Sequence, residues 1–180
     1  MKNVLIIATD GFEQSELTGP KSRLEKGGAK VTVASLETGS IKGWDENDWG
    51  DSVDVDITVA DAKADDYDAL VLPGGQINPD ILRMNDDVIA LIRAFNSAGK
   101  PIAAICHAPW LLVEADIVAG KIATSWPSIR TDLRNAGAEV VDREVAVDGN
   151  IITSRNPDDI PAFSNAVLDA LQMSGEMQDA

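Results

Sequence analysis

The chain has 180 residues, 44% hydrophobic and 25% charged, enough for one domain that buries about 70% of the surface its unfolded form exposes. Thirty acidic residues against fifteen basic ones leave a net charge of −15, a surface that repels phosphate backbones and anionic lipid, so neither nucleic acid nor membrane is expected as a partner. One cysteine excludes an intramolecular disulfide. With no apolar run of spanning length and no secretory leader pattern at the start, the reading is of a cytoplasmic protein.

In chain order, Val4–Ala8 is a continuous apolar run of strand length, the pattern of a strand covered on both faces. Helical spacing follows through Leu17 and Leu24 and stops at "KGG", 26–28. "AKVTVAS", 29–35, alternates as a second strand. Residues 44–68 hold ten of the thirty acids and one lysine, and read as a surface hairpin with acidic edges. A calcium loop is disfavoured there, because Trp49 stands where an oxygen ligand is needed. "YDALVLPGG", 67–75, runs a buried strand into a glycine turn. In 86–98, Val88, Leu91, Ile92 and Phe95 fall on one helical face, closed by Gly99. "PIAAI", 101–105, is a short buried strand, and Trp110, Leu111 and Leu112 begin a helix with Pro109 in its first turn. "VAVDGNIIT", 145–153, is a hairpin about Asp148-Gly149, and a last helix over 158–172 has Asn156 as its cap. Alternating strands and helices predict a single α/β domain over 1–172 with a mostly parallel sheet, a C-terminal β-hairpin and a flexible tail at 173–180.

Ligands in such sheets gather at the carboxyl ends of the strands. Three segments meet there: "ATDGFEQSE", "PGGQINPD" and "CHAP", the last holding the only cysteine, Cys106, and the only histidine, His107. A strand turning sharply into a helix is the layout of a nucleophile elbow, and a helix N-terminus favours a thiolate. The bland alternative is a small buried cysteine beside a surface histidine. His107 reaches the thiol only across a sharp turn, since consecutive helical residues do not face each other. A carboxylate beside Cys106 would raise the thiol pKa, whereas a carboxyl kept protonated by burial would donate to the thiolate; any acid serving Cys106 should therefore have a raised pKa. Asp10, Glu13 and Glu16 are the acids placed to do so. Gly74 and Gly75 allow backbone N–H groups close approach to a substrate. No phosphate-binding glycine motif is present.

The stretches "FEQSEL" (12–17), "DALVLPGG" (68–75), "GKPIAAICHAP" (99–109) and "NAGAEVVDREVAVDGNIITSRNPDDIPAF" (135–163) resemble the PfpI family of intracellular cysteine peptidases and stress-protein relatives. The resemblance runs from residue 2 to 172. It implies a flavodoxin-like three-layer α/β sandwich, assembled as a dimer or a ring of dimers, with no cofactor and no metal. It implies Cys106 as nucleophile, Glu16 as the acid at its sulfur, Glu13 as a second pocket acid, and the N–H groups of Gly75 and His107 as oxyanion donors, with Gly74 and Ala108 beside them. Asp80 matches a carboxylate that orients the histidine from a neighbouring subunit.

Three departures bear on activity. Asp80 is one methylene shorter than the peptidases' Glu and follows a loop one residue longer, which weakens the peptidase reading. Ala108 replaces a glycine and narrows the pocket. "WDENDWGD" is longer than the usual turn, so Trp44 and Trp49 are placed to cover the site or mediate assembly. The expected function is a cysteine-dependent stress enzyme, of glyoxalase or deglycase type, acting on a small carbonyl compound. The alternatives are a peptidase with an intersubunit Cys106–His107–Asp80 arrangement and a redox sensor or chaperone working through Cys106 oxidation. The glutamine amidotransferases of the superfamily this chain resembles use a histidine far downstream of the cysteine, and no histidine follows His107, so that activity is not expected.

Overall fold

The computed structural model describes the backbone of residues 1–179 and the side chains of residues 1–172. Seven strands form the central sheet: β1 (Asn3–Ile7), β2 (Lys30–Ser35), β5 (Ile57–Thr58), β6 (Ala69–Leu72), β7 (Ile102–Ile105), β10 (Ala146–Asp148) and β11 (Ile151–Ser154). Their order is β10-β11-β7-β6-β1-β2-β5, parallel throughout except for the antiparallel β10–β11 hairpin expected at Asp148-Gly149.

Period-two alternation sends the side chains of the central strands to two cores. Leu5, Ile7, Leu70 and Leu72 pack on α3 (Asp86–Ser97) and α4 (Pro109–Glu114) through Val88, Ile92, Phe95 and Leu111. Val4, Ile6, Val71 and Ala103 pack on α1 (Gln14–Lys26) and α6 (Ile160–Asp179) through Leu17, Leu24, Phe163 and Val167. Both faces are covered, which is why these strands read as unbroken apolar runs. The result is the expected flavodoxin-like three-layer arrangement.

The acidic segment differs from its expected placement. The surface hairpin is β3 (Gly39–Asp45) and β4 (Asp48–Val55), so it starts before residue 44 and ends at residue 55. Residues 57–58 leave it to pair with β2 at the sheet edge. Two short helices, α2 (Ile77–Leu82) and α5 (Arg130–Asn135), and a small ladder of β8 (Ile122–Ala123) with β9 (Glu139–Val140) complete the fold. Asn156 caps, as expected, but the turn it caps is Pro157–Asp159, which leads into α6. The side chains of the tail expected at 173–180, and the whole of residue 180, lie outside the described residues. Among the described residues, no helix is long and apolar enough to cross a membrane.

Phe163 is fully buried between α6 and the sheet, in the same core that reaches Cys106. Phe163→Ala is expected to lower the unfolding free energy by about 3–5 kcal/mol, read from urea unfolding followed by circular dichroism. A loss below about 1 kcal/mol would show that this core does not hold α6 to the sheet.

Candidate functional site

The loops after β1, β6 and β7 converge at the carboxyl edge of the sheet. β1 lies between β2 and β6, so the connections leave it in opposite directions and open a crevice at its end. Buried Asn78 ties two of the loops together: its Oδ1 accepts from the Thr9 N–H at 2.8 Å, while its Nδ2 donates to the carbonyls of Pro73 (2.8 Å) and Gly74 (3.2 Å). Gly75 takes φ +85°, and a Cβ there would stand 2.7 Å from the Gly11 carbonyl and 2.8 Å from the Glu13 nitrogen. Only glycine fits that approach.

Cys106 adopts φ +65°, a left-handed conformation that costs a side-chain-bearing residue about 1–2 kcal/mol. The surroundings over-determine it. Its N–H donates to the Ser154 carbonyl at 3.1 Å, and its own carbonyl accepts from the Trp126 N–H at 2.8 Å. The strained turn brings the adjacent imidazole back onto the thiol, with His107 Nδ1 3.2 Å from Cys106 Sγ. His107 stacks on Trp126 with ring centroids 5.7 Å apart and meets Trp110 edge-on at 5.3 Å. Its other nitrogen, Nε2, lies 3.5 Å from Ser128 Oγ. Burial lowers the His107 pKa, favouring the neutral imidazole.

Glu16 has no solvent exposure. Its Oε1 accepts from the Gly74 N–H at 2.9 Å, while among the described residues Oε2 has no partner in hydrogen-bonding geometry. The carboxyl nevertheless lies near enough to the Cys106 thiol for each to alter the other's proton affinity. Burial first, and the charge of Glu13 second, push the Glu16 pKa up to about 8, against the Gly74 N–H and the thiol, which lower it. This is the raised acid that serving Cys106 requires. The thiol too is pushed up, by burial and then by the charge of Glu16, while the backbone N–H groups of Gly75 and His107 act in the opposite sense. The sequence-based expectation of a helix-stabilised thiolate is therefore corrected. Helix α4 is only six residues long, and the opposing groups are two nearby amides.

Glu13 is half-buried. Burial raises its pKa, the Glu46 N–H opposes this, and the charges of Asp45 and Glu46 add to it. The β3–β4 hairpin closes over this loop: Gly11 N–H donates to the Lys42 carbonyl at 2.8 Å, and Trp44 N–H to the Phe12 carbonyl at 2.7 Å. The cleft, of about 410 Å³, is lined by Glu13, Glu16, Trp44, Gly75, Cys106 and His107 among others, including Trp126 and Pro157.

Two expected site residues stand elsewhere. Ala108 is fully buried in the core on the α3–α4 side and does not line the cleft, because the chain after the strained turn has already entered the sheet-facing side of α4. Asp80 sits exposed on the first turn of α2 and does not reach His107 within one chain. Gly74 supports the site from beneath. A Cβ on it would come within 2.5 Å of the Ile105 carbonyl and 2.7 Å of both Cys106 Cβ and Glu16 Oε1. Trp126, Ser128, Asn78 and Pro157 were not singled out in the sequence. Only the asparagine and proline of "QINPD" and "RNPDD" gave any local turn signal there.

A match to the DJ-1/PfpI family spans residues 2–170. The chain belongs to the DJ-1/PfpI family. It is 42% identical over 169 residues to Deglycase TK1284 of Thermococcus kodakarensis, covering 94% of this chain and 99% of that relative. General stress protein 18 of Bacillus subtilis is 42% identical over 173 residues, covering 95% of this chain and 98% of the relative. Among solved structures, a two-domain protein of Anabaena variabilis with DJ-1/ThiJ/PfpI-like and ferritin-like domains superposes with a TM-score of 0.91 at 36% identity. That superposition covers 96% of this chain and 48% of the other, so this chain spans about half of that protein.

Because Glu16 holds its proton up to about pH 8 when folded and only to its ordinary 4.5 when unfolded, the folded state binds the extra proton between those values. Stability is therefore expected to fall as pH rises from 4.5 towards 8, and Glu16→Gln is expected to flatten that slope. Urea midpoints measured across this range check it; parallel slopes in both proteins would contradict a buried protonated Glu16. Gly74→Ala is expected to lower the urea midpoint and, in the protein that still folds, to slow alkylation of Cys106 by about a hundredfold, because the added methyl presses on the Ile105 carbonyl as well as on Cys106 Cβ and Glu16 Oε1.

Proposed function

We propose that this member of the DJ-1/PfpI family is a cysteine-dependent stress enzyme of glyoxalase or deglycase type, acting on small α-oxoaldehydes and their adducts. The observation that carries the reading is a single thiol, held on a strained turn, with a buried carboxyl of raised pKa on one side and two backbone N–H groups on the other. The names of the similar proteins, a deglycase and a general stress protein, support the same class.

In the proposed sequence, Cys106 Sγ, as thiolate, bonds to the aldehyde carbon and the carbonyl electron pair moves to oxygen. The N–H groups of Gly75 and His107 hold that oxyanion, an interaction worth about 10²–10³ in rate per donor. Glu16 gives its proton to the oxygen, forming a hemithioacetal. The carboxylate so formed takes the hydrogen of the same carbon and returns it to the neighbouring carbonyl carbon, and the hydroxyl proton passes to the second oxygen. The product is a thioester, which water hydrolyses to a 2-hydroxy acid and free Cys106. The net reaction adds water to the oxoaldehyde and needs no oxidant or cofactor. An adduct enters when Sγ displaces its amine or thiol, which leaves with a proton.

The peptidase reading rests on one observation: among the described residues, His107 Nε2 has only the long 3.5 Å approach of Ser128, leaving room for a carboxylate from another copy. In the homo-oligomer we propose, the exposed Asp80 is the group that would supply it.

With methylglyoxal as substrate, the wild-type protein is expected to release lactate. Cys106→Ala is expected to abolish the activity and Glu16→Gln to reduce it at least about a hundredfold. Full activity in Cys106→Ala would overturn the proposal. Cleavage of a fluorogenic peptide that Asp80→Ala removes, with no lactate formed, would favour the peptidase. Neither activity, with Cys106-dependent mass gain under peroxide, would favour the redox sensor.

A further inference from the structure

The cleft is chemically one-sided. Three acidic residues, Glu13, Glu16 and Glu46, are among its lining, and among its described lining residues there is no lysine or arginine. One of the three, Glu16, is fully buried, its Oε2 has no partner in hydrogen-bonding geometry among the described residues, and its carboxyl acts on the Cys106 thiol. Two more residues of the wall are tryptophans, Trp44 and Trp126. Elsewhere the protein's own cations already lie over indole rings, Lys42 over Trp49 at 5.9 Å and Arg83 over Trp110 at 5.5 Å. Among the described residues no lysine or arginine is found over Trp44 or Trp126.

The hairpin fixes this wall. Trp44 Nε1 donates to the Glu46 carbonyl at 2.9 Å, and its backbone N–H joins the ring to the Phe12 carbonyl. The Glu46 backbone N–H favours the Glu13 carboxylate, while the charge of the Glu46 side chain opposes it. A bound cation would relieve that repulsion and find an aromatic face beside it. Among the described residues, no group of three or more His, Cys, Asp or Glu side chains is placed to hold a metal ion. The flanking indoles also suit an organic cation rather than a bare ion.

We propose that the hairpin residues Trp44 and Glu46, with Glu13, select substrates that carry an ammonium or guanidinium group beyond the carbon attacked by Cys106. The inference names the substrate class of the site proposed above and rests on that reading for its enzymatic consequence. Neutral oxoaldehydes still enter; adducts bearing a carboxylate or phosphate are disfavoured. The overall charge of −15 steers cations in the same direction from long range, so the local wall must be separated from the bulk field.

Cys106 is the only thiol, so its modification rate reads the cleft without any assay of turnover. Three matched methanethiosulfonate reagents, bearing trimethylammonium, no charge or sulfonate, serve as probes. The cationic reagent is expected to modify Cys106 at least about tenfold faster than the anionic one, relative to their rates on a free thiol. The preference is expected to collapse in Glu13→Gln/Glu46→Gln and to weaken in Trp44→Leu. It should persist in Asp87→Asn/Asp169→Asn, which removes the same formal charge from exposed sites on α3 and α6. Equal relative rates for the three reagents would overturn the inference, as would an equal loss of preference in the two double variants. Charge preference without lactate formation would leave this inference standing and remove the glyoxalase reading. No modification by any reagent in the folded protein would overturn both.

Discussion

A carboxyl with no access to water lies between a glycine loop and the only thiol of the chain. Glu16 is held there by the N–H of Gly74, and among the described residues its remaining oxygen has no partner in hydrogen-bonding geometry. Ionising such a group is costly, and the nearby charge of Glu13 adds to the cost, so its proton is retained up to about pH 8. That retained proton decides what Cys106 can be. With Glu16 ionised, its charge adds to burial in keeping the thiol protonated. With Glu16 protonated, the charge is gone and an O–H faces the sulfur. The thiolate we propose is therefore one half of a pair that shares a proton, and its pKa belongs to the pair.

The fold serves this contact through its switch point. β1 sends its loop down one side and β6 sends the glycine loop down the other, with Asn78 bonded to both. Gly74 cannot carry a methyl without pushing on Cys106 and Glu16 together. The left-handed turn at Cys106 is held from both neighbours, by Ser154 of β11 and by Trp126. Strain of this kind persists only where the surrounding structure fixes it, and here it turns His107 back to 3.2 Å from the sulfur. The hairpin then closes the cleft with an acidic and aromatic wall.

Much of this was legible in the residues, for identifiable reasons. β1, β6 and β7 are buried on both faces and read as apolar runs; α3 carries its core face at helical spacing; Asp148-Gly149 marks its own turn. Strands of two residues, such as β5, β8 and β9, and six-residue helices such as α2 and α5, are too short to show any period. The β3–β4 hairpin was placed too far along because both its strands are largely exposed, so acidity rather than alternation marked it. At the site, Cys106, His107, Glu16, Glu13, Gly74 and Gly75 do come together. Ala108 was misplaced because the strained turn rotates it into the opposite core. Trp126 and Ser128 arrive from a loop about twenty residues downstream of His107, and nothing local in the sequence joins them to it.

The proton shared by Glu16 and Cys106 is tested most directly by the rate of iodoacetamide alkylation against pH, which reports one group because there is one thiol. While Glu16 keeps its proton, below about pH 8, its O–H facing the sulfur is expected to make alkylation faster than in Glu16→Leu, and above that pH the ionised carboxylate is expected to remove the advantage. Equal rates in the two proteins across the whole range, or no reaction in the folded protein, would mean an inert core cysteine and would contradict the catalytic reading.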